Sequence, residues 1–249
     1  MTFFRKDKEK NKEAINWKKQ LHVLPGHLIL LIWIAFTFCF IGWIFAASLS
    51  TSGEIFRGDT LKFASGFHFE NYVKAWKIQN VSVYFMNSLL YASVSTILLV
   101  IISAPAAYVL SRFTFLGNKV FKSGLVMAMS IPSIMIVIPI LNITTKLKLT
   151  GTRGLLIFLY VAVSIPYTIT FLLNFFSTLS RSYEEAAAID GSSAIKTFWT
   201  IMFPLAQPGI VTVSIFNFLG IWNEYFLSLV FASTDSKRSV GVGLFTIVA

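Results

Sequence analysis

One acidic side chain in this sequence stands where water is scarce. Glu224 is the single carboxylate inside five long apolar segments that are otherwise free of charge. An ionised carboxylate near mid-bilayer costs roughly 2.5–3.5 kcal/mol or more, so it must face a cavity or a partner. Ser214, Asn217, Glu224 and Ser228 recur at helical spacing and share a face with Ile221. The preceding segment carries a similar stripe of Ser164, Tyr167, Thr168 and Asn174, with Phe171 between. Asn217, Asn223, Glu224, Tyr225, Ser214, Tyr167 and Asn174 are therefore the candidate solute pathway. The same groups also suit helix packing and interfacial anchoring. Counted from Pro208, Glu224 lies roughly 24 Å up its helix, toward one membrane face.

Other chemistries find no support. His22, His27 and His68 are scattered, with no cysteine or carboxylate at metal-ligand spacing. Cys39 is the only cysteine, so no disulfide framework forms within the chain. No Gly-rich loop ending in Gly-Lys-Ser/Thr occurs, so ATP is expected on another subunit. No nucleophile-plus-base constellation is present, and the chain is not expected to be an enzyme.

The second concentration of polar residues is Glu184-Glu185-Ala186-Ala187-Ala188-Ile189-Asp190-Gly191, between two apolar segments. Ser182 and Glu185 have the spacing of a capping box. Gly191 suits the left-handed residue that ends a helix. Such a helix is too short to be stable alone in water and must pack on something. Ile201, Phe203 and Pro204 can wedge it against its neighbours, leaving an acidic face for a partner.

The elements that position these residues follow from composition. The chain has 249 residues, 55% of them hydrophobic and 13% charged, with 25 Phe and 11 acidic residues. Apolar runs near 20 residues cross a hydrocarbon core about 30 Å thick. Five spans are expected, over 27–49, 84–110, 123–143, 155–179 and 209–231, all helical because lipid cannot satisfy an open backbone. The fold class is an all-α polytopic membrane protein. Pro105, Pro132, Pro139 and Pro166 fall in the spans, where an interior proline kinks a helix. The net charge of +10 flanks the apolar runs, which favours lipid headgroups over nucleic acid. The Lys- and Arg-rich tail 1–26 is expected in the cytoplasm. Alternation then puts loop 50–83 outside and loop 181–208 inside.

The segment 184–204 resembles the EAA loop of binding-protein-dependent ABC importer permeases. That pattern is Glu-Ala-Ala, three residues, Gly, nine residues, Ile, any residue, Leu, Pro. Glu185, Ala186, Ala187, Gly191, Ile201 and Pro204 match in register, and Phe203 replaces the Leu. Glu70-Asn71-Tyr72, Asn87-Ser88-Leu89 and Trp222-Asn223-Glu224-Tyr225 resemble the carbohydrate, maltose-type second-permease subgroup. The resemblance implies a cell-membrane permease with its core over 84–249. It implies that Glu184, Glu185, Ala186, Ala187, Asp190, Gly191, Ile201 and Pro204 couple to a separate ATPase. It also implies a second homologous permease, two ATPase subunits that bind ATP and Mg, and an extracytoplasmic solute-binding protein. Aromatic rings and amides suit a sugar. An importer for a peptide, polyamine or phosphonate, or a permease repurposed as a scaffold or sensor, remains open at this point. The family carries six spans, and 240–249 is too short to be the sixth.

Overall fold

The computed structural model describes residues 17–248, and the first part of the basic tail lies outside them. The chain divides into two compact units, residues 1–74 and 75–249.

In the first unit, helix α1 covers Trp17–Ser48. It begins ahead of the expected start at residue 27, because the apolar span continues a helix already formed in the polar lead-in. Its stretch Val23–Ser48 has a mean hydropathy of 2.6 and is long and apolar enough to cross a membrane. Within this unit, the α1 side chains from Val23 to Phe45 are exposed, except that of Thr37, which is half-buried. Two short helices follow, α2 (Ser52–Arg57) and α3 (Glu70–Val73). The Glu70-Asn71-Tyr72 motif ties this loop to the end of α1. Asn71 Nδ2 donates to the Ser48 and Ser50 carbonyls, each at 3.1 Å, and the Tyr72 hydroxyl lies 2.6 Å from Ser48 Oγ. Glu54 organises the rest. Its carboxylate accepts from the amides and hydroxyls of Thr51 and Ser65 at 2.8–2.9 Å. Those donors, the Thr51 amide foremost, hold its carboxyl down at about 2.

The second unit holds α4 (Val81–Arg112), α5 (Asn118–Met129), α6 (Ser133–Lys146) and α7 (Arg153–Thr178). These are followed by α8 (Ser182–Ile189), α9 (Ala194–Thr197), α10 (Phe203–Leu205), α11 (Gln207–Trp222), α12 (Phe226–Phe231) and α13 (Val240–Val248). Helices α4 and α7 are each long and apolar enough to span. Both run on through their prolines, Pro105 and Pro166.

The third expected span is not one helix. Helices α5 and α6 meet at a 96° bend. Pro132 stands at the N-cap of α6, where its missing N–H and fixed φ favour a start over a continuation. The bent pair nevertheless crosses. Arg153, at the start of α7, donates to Asn87 near the start of α4 at 3.0 Å. Arg112, at the end of α4, donates to the Leu179 carbonyl just past α7 at 2.8 Å. The two long helices are therefore parallel, and only residues 113–152 can carry the chain back between them. Helix α11 is antiparallel to α7: Gly209 lies against Phe175, Asn217 bonds Thr168, and Glu224 bonds Tyr160.

The fifth expected span is also broken: its helix ends at Trp222 instead of 231, and α12 follows as a separate helix. A 71° bend lies just ahead of that span, between Ala194–Leu205 and Gln207–Trp222. Within 181–208, helical structure extends beyond the expected short helix, now α8, into α9 and α10.

Two buried clusters hold this unit together. One gathers Tyr91, Leu99, Leu156, Leu159, Tyr160, Ile221 and Phe231. The other gathers Ala107, Tyr108, Leu172, Phe176, Phe198, Met202 and Val213.

Candidate functional site

The segment 182–192 is built locally. Helix α8 ends with Asp190 as cap and Gly191 at φ +73°, the left-handed region that glycine enters without strain. The Gly191 amide donates to the Ala188 carbonyl at 3.0 Å and the Ser192 amide to the Ala187 carbonyl at 2.9 Å. This pair of bonds is a Schellman closure. The start of α8 departs from the expected capping box. Ser182 is already helical, Arg181 is the cap residue without a side-chain bond, and Ser180 Oγ accepts from the Ser182 amide.

The faces of α8 are divided. Ala187 is buried, whereas Glu185, Ala186, Asp190 and Gly191 are exposed. Glu184 is turned inward, with Arg112 Nε donating to its Oε1 at 3.0 Å. The expected acidic face is therefore carried by Glu185 and Asp190 without Glu184. Ile201 and Phe203 pack against the second buried cluster, and Pro204 remains exposed. Exposed apolar residues complete the outward surface. Ile189 is 87% exposed and Ile195 75%, and Tyr183 in the first turn of α8 is exposed as well. Single apolar residues in a loop gave no periodic signal for this surface.

The candidate pathway is built across helices. A cavity of about 440 Å³ lies between α7 and α11, lined by Ser133, Tyr160, Ser164, Tyr167, Asn217, Gly220 and Glu224 among others. Asn217 is buried and donates to Thr168 Oγ1 at 3.0 Å. Glu224 does not continue the α11 face that would carry Ser214, Asn217 and Ser228. Helix α11 stops before it, and its carboxylate caps α12 by accepting from the Leu227 amide at 2.7 Å and the Ser228 amide at 3.2 Å. Tyr160 donates its hydroxyl to the same carboxylate at 3.0 Å. Three donors thus meet a charge that lipid would otherwise penalise.

Of the seven pathway residues, Tyr167, Asn217 and Glu224 line this cavity together. The other four are placed elsewhere. Ser214 lines a separate surface recess with Thr96 and Phe218. Asn223 is exposed and bonds back to the Leu219 carbonyl. Tyr225 packs edge-on against Phe245 of α13, and Asn174 is exposed further along α7. The break after Trp222, which a helical repeat cannot foresee, displaces Asn223 and Tyr225.

Residues 97–248 match the family described as the binding-protein-dependent transport system inner membrane component. The chain belongs to this family. Among similar permeases is the diacetylchitobiose uptake system permease protein NgcG of Streptomyces coelicolor. It is 33% identical over 219 residues, 88% of this chain and 72% of the relative. The trehalose/maltose transport system permease protein MalG of Thermococcus litoralis is 32% identical over 231 residues, 91% of this chain and 80% of the relative. A crystal structure of a bacterial ABC transporter involved in alginate import superposes with a TM-score of 0.80. That match covers 93% of this chain and 81% of its counterpart at 22% identity, a likeness of fold.

Within the permease, the Asn87-Ser88 motif has a structural task. Asn87 Nδ2 donates to the Ser236 and Arg238 carbonyls, Tyr91 to the Lys237 carbonyl, and Ser88 Oγ accepts from the Val240 amide. These bonds fasten the loop 232–239 to α4. Tyr160, Arg112 and Arg153 are the polar residues that the sequence left unassigned, since each acquires its partner only from a distant segment.

Proposed function

We propose that this chain is one permease subunit of an ATP-driven, binding-protein-dependent importer for an oligosaccharide. Its partners in this reading are a second homologous permease, two ATPase subunits that bind ATP and Mg, and an extracytoplasmic solute-binding protein. In this reading the N-terminal tail lies in the cytoplasm. The exposed face of Glu185, Asp190, Ile189 and Ile195 docks on the ATPase, and Gly191 fixes the angle at which α8 is presented.

The observation that carries the substrate class is the cavity where Tyr167, Asn217 and Glu224 converge. Aromatic faces with a few hydrogen-bonding groups suit the alternating apolar and hydroxyl surfaces of a sugar. Relatives named for diacetylchitobiose and for trehalose/maltose support the same class. The test is to co-express the chain with its partner permease, ATPase and binding protein. ATP hydrolysis and uptake are then measured with diacetylchitobiose, trehalose, maltose and a peptide control. Stimulation by one of the sugars is expected. An assembled complex that responds only to the peptide would overturn the sugar reading.

A further inference from the structure

The family pattern places its glutamate at Glu185, yet the acidic residue beside it has the more specific environment. Glu184 and Arg112 have only 19% and 6% of their side chains exposed. The guanidinium is used twice, with Nε on Glu184 and Nη2 on the Leu179 carbonyl at 2.8 Å. One side chain thus joins the last turn of α4, the end of α7 and the first turn of α8. Beneath it, Tyr108 of α4 meets both Phe176 of α7 and Phe198, with ring centroids 5.6 and 5.0 Å apart. Toward the other end of α4, Asn87 and Tyr91, about 38 and 32 Å from Arg112 by helical rise, fasten the helix to the loop 232–239.

We propose that Arg112 and Glu184 form the joint through which displacement of α8 is passed to α4 and α7, and so to the cavity and the loop 232–239. Both act as positioning residues: they remain inside the permease while Glu185 faces the ATPase. The inference rests on the reading that α8 docks on an ATPase. A shielded, charge-assisted pair suits this task, because it resists shear where apolar contacts slide. An exposed pair would be weak and salt-sensitive.

The experiment uses the assembled complex, with Cys39→Ser and Ser133→Cys placing one thiol at the cavity. The readouts are maleimide-dye labelling with and without ATP plus vanadate, and ATP hydrolysis, both per assembled complex. A nucleotide-driven change in labelling is expected without further mutation. Glu184→Gln and Arg112→Gln should each reduce that change roughly 3- to 30-fold while hydrolysis continues. The charge exchange of Arg112→Glu with Glu184→Arg should recover part of it. If the variants only lower the amount of complex, with an unaltered change per complex, the pair is structural and the proposal fails. No nucleotide-driven change in the unmutated complex also overturns it. Gly191→Pro separates the two readings. Should that variant respond normally, docking through α8 fails; should it lose its response while the pair variants keep theirs, only the joint fails.

Discussion

The segment 182–192 and the broken end of the fifth span are both short polar interruptions in apolar chain, but they are assembled in opposite ways. Helix α8 is closed by the bonds of Gly191 to Ala188 and Ser192 to Ala187, all within a few residues. Glu224 takes one of its three donors from Tyr160, 64 positions earlier in the chain. Local closure leaves a recognisable motif, because spacing and residue type are fixed together. Long-range closure leaves isolated polar residues whose partners only packing reveals.

The largest effect is expected where this difference is broken outright. Gly191→Pro removes the donor to Ala188 and cannot adopt φ +73°, a loss of about 3 kcal/mol or more for the α8 terminus. Transport should be abolished with membrane insertion intact, as checked by uptake in vesicles and quantified membrane protein. Normal uptake would mean that the angle of α8 is unimportant.

Next comes the long-range site. Glu224→Ala leaves the Tyr160 hydroxyl and two α12 amides without their acceptor, at about 1–3 kcal/mol for each buried group. An approximately tenfold or greater fall in uptake is expected, with assembly of the complex retained. Glu224→Gln should lose less, because its amide oxygen still accepts. Uptake kinetics unchanged by Glu224→Ala would remove Glu224 from the pathway.

A packing change sharpens the comparison without touching a polar group. A Cβ on Gly209 would come within 2.5 Å of Phe175, so Gly209→Ala must displace the α11–α7 contact that aligns Asn217 with Thr168. Overpacking of this kind costs about 1–3 kcal/mol and should lower the thermal midpoint of the purified complex. The same midpoint for both proteins would show that the two helices have slack at that level.

The smallest effect belongs to the first unit, whose loop after α1 is again closed locally. Glu54 has its carboxyl lowered from 4.5 to about 2, so the folded loop favours the ionised form. Its contribution is complete above pH 4.5 and is lost as pH falls toward 2. Exchange protection of the Thr51 and Ser65 amides should decline over that interval. In Glu54→Gln the decline should be flat. A flat profile in the unmutated chain would contradict the bonding assigned to Glu54.

The sequence by itself determined the all-helical membrane class, the five apolar stretches and the α8 terminus at Gly191. Hydropathy and glycine's tolerance of positive φ act over neighbouring residues and need no knowledge of the fold. It also marked Tyr167, Asn217 and Glu224, since a polar group in an apolar helix must find a partner. Tertiary structure alone decided that Pro132 breaks the third span into two helices that still cross, because the parallel arrangement of α4 and α7 requires a return between them. It likewise decided that Ser214, Asn223, Tyr225 and Asn174 leave the cavity, and that Glu184 turns inward to Arg112. A helix end 72 positions away in the chain supplies that partner, and a one-dimensional pattern carries no record of such a meeting.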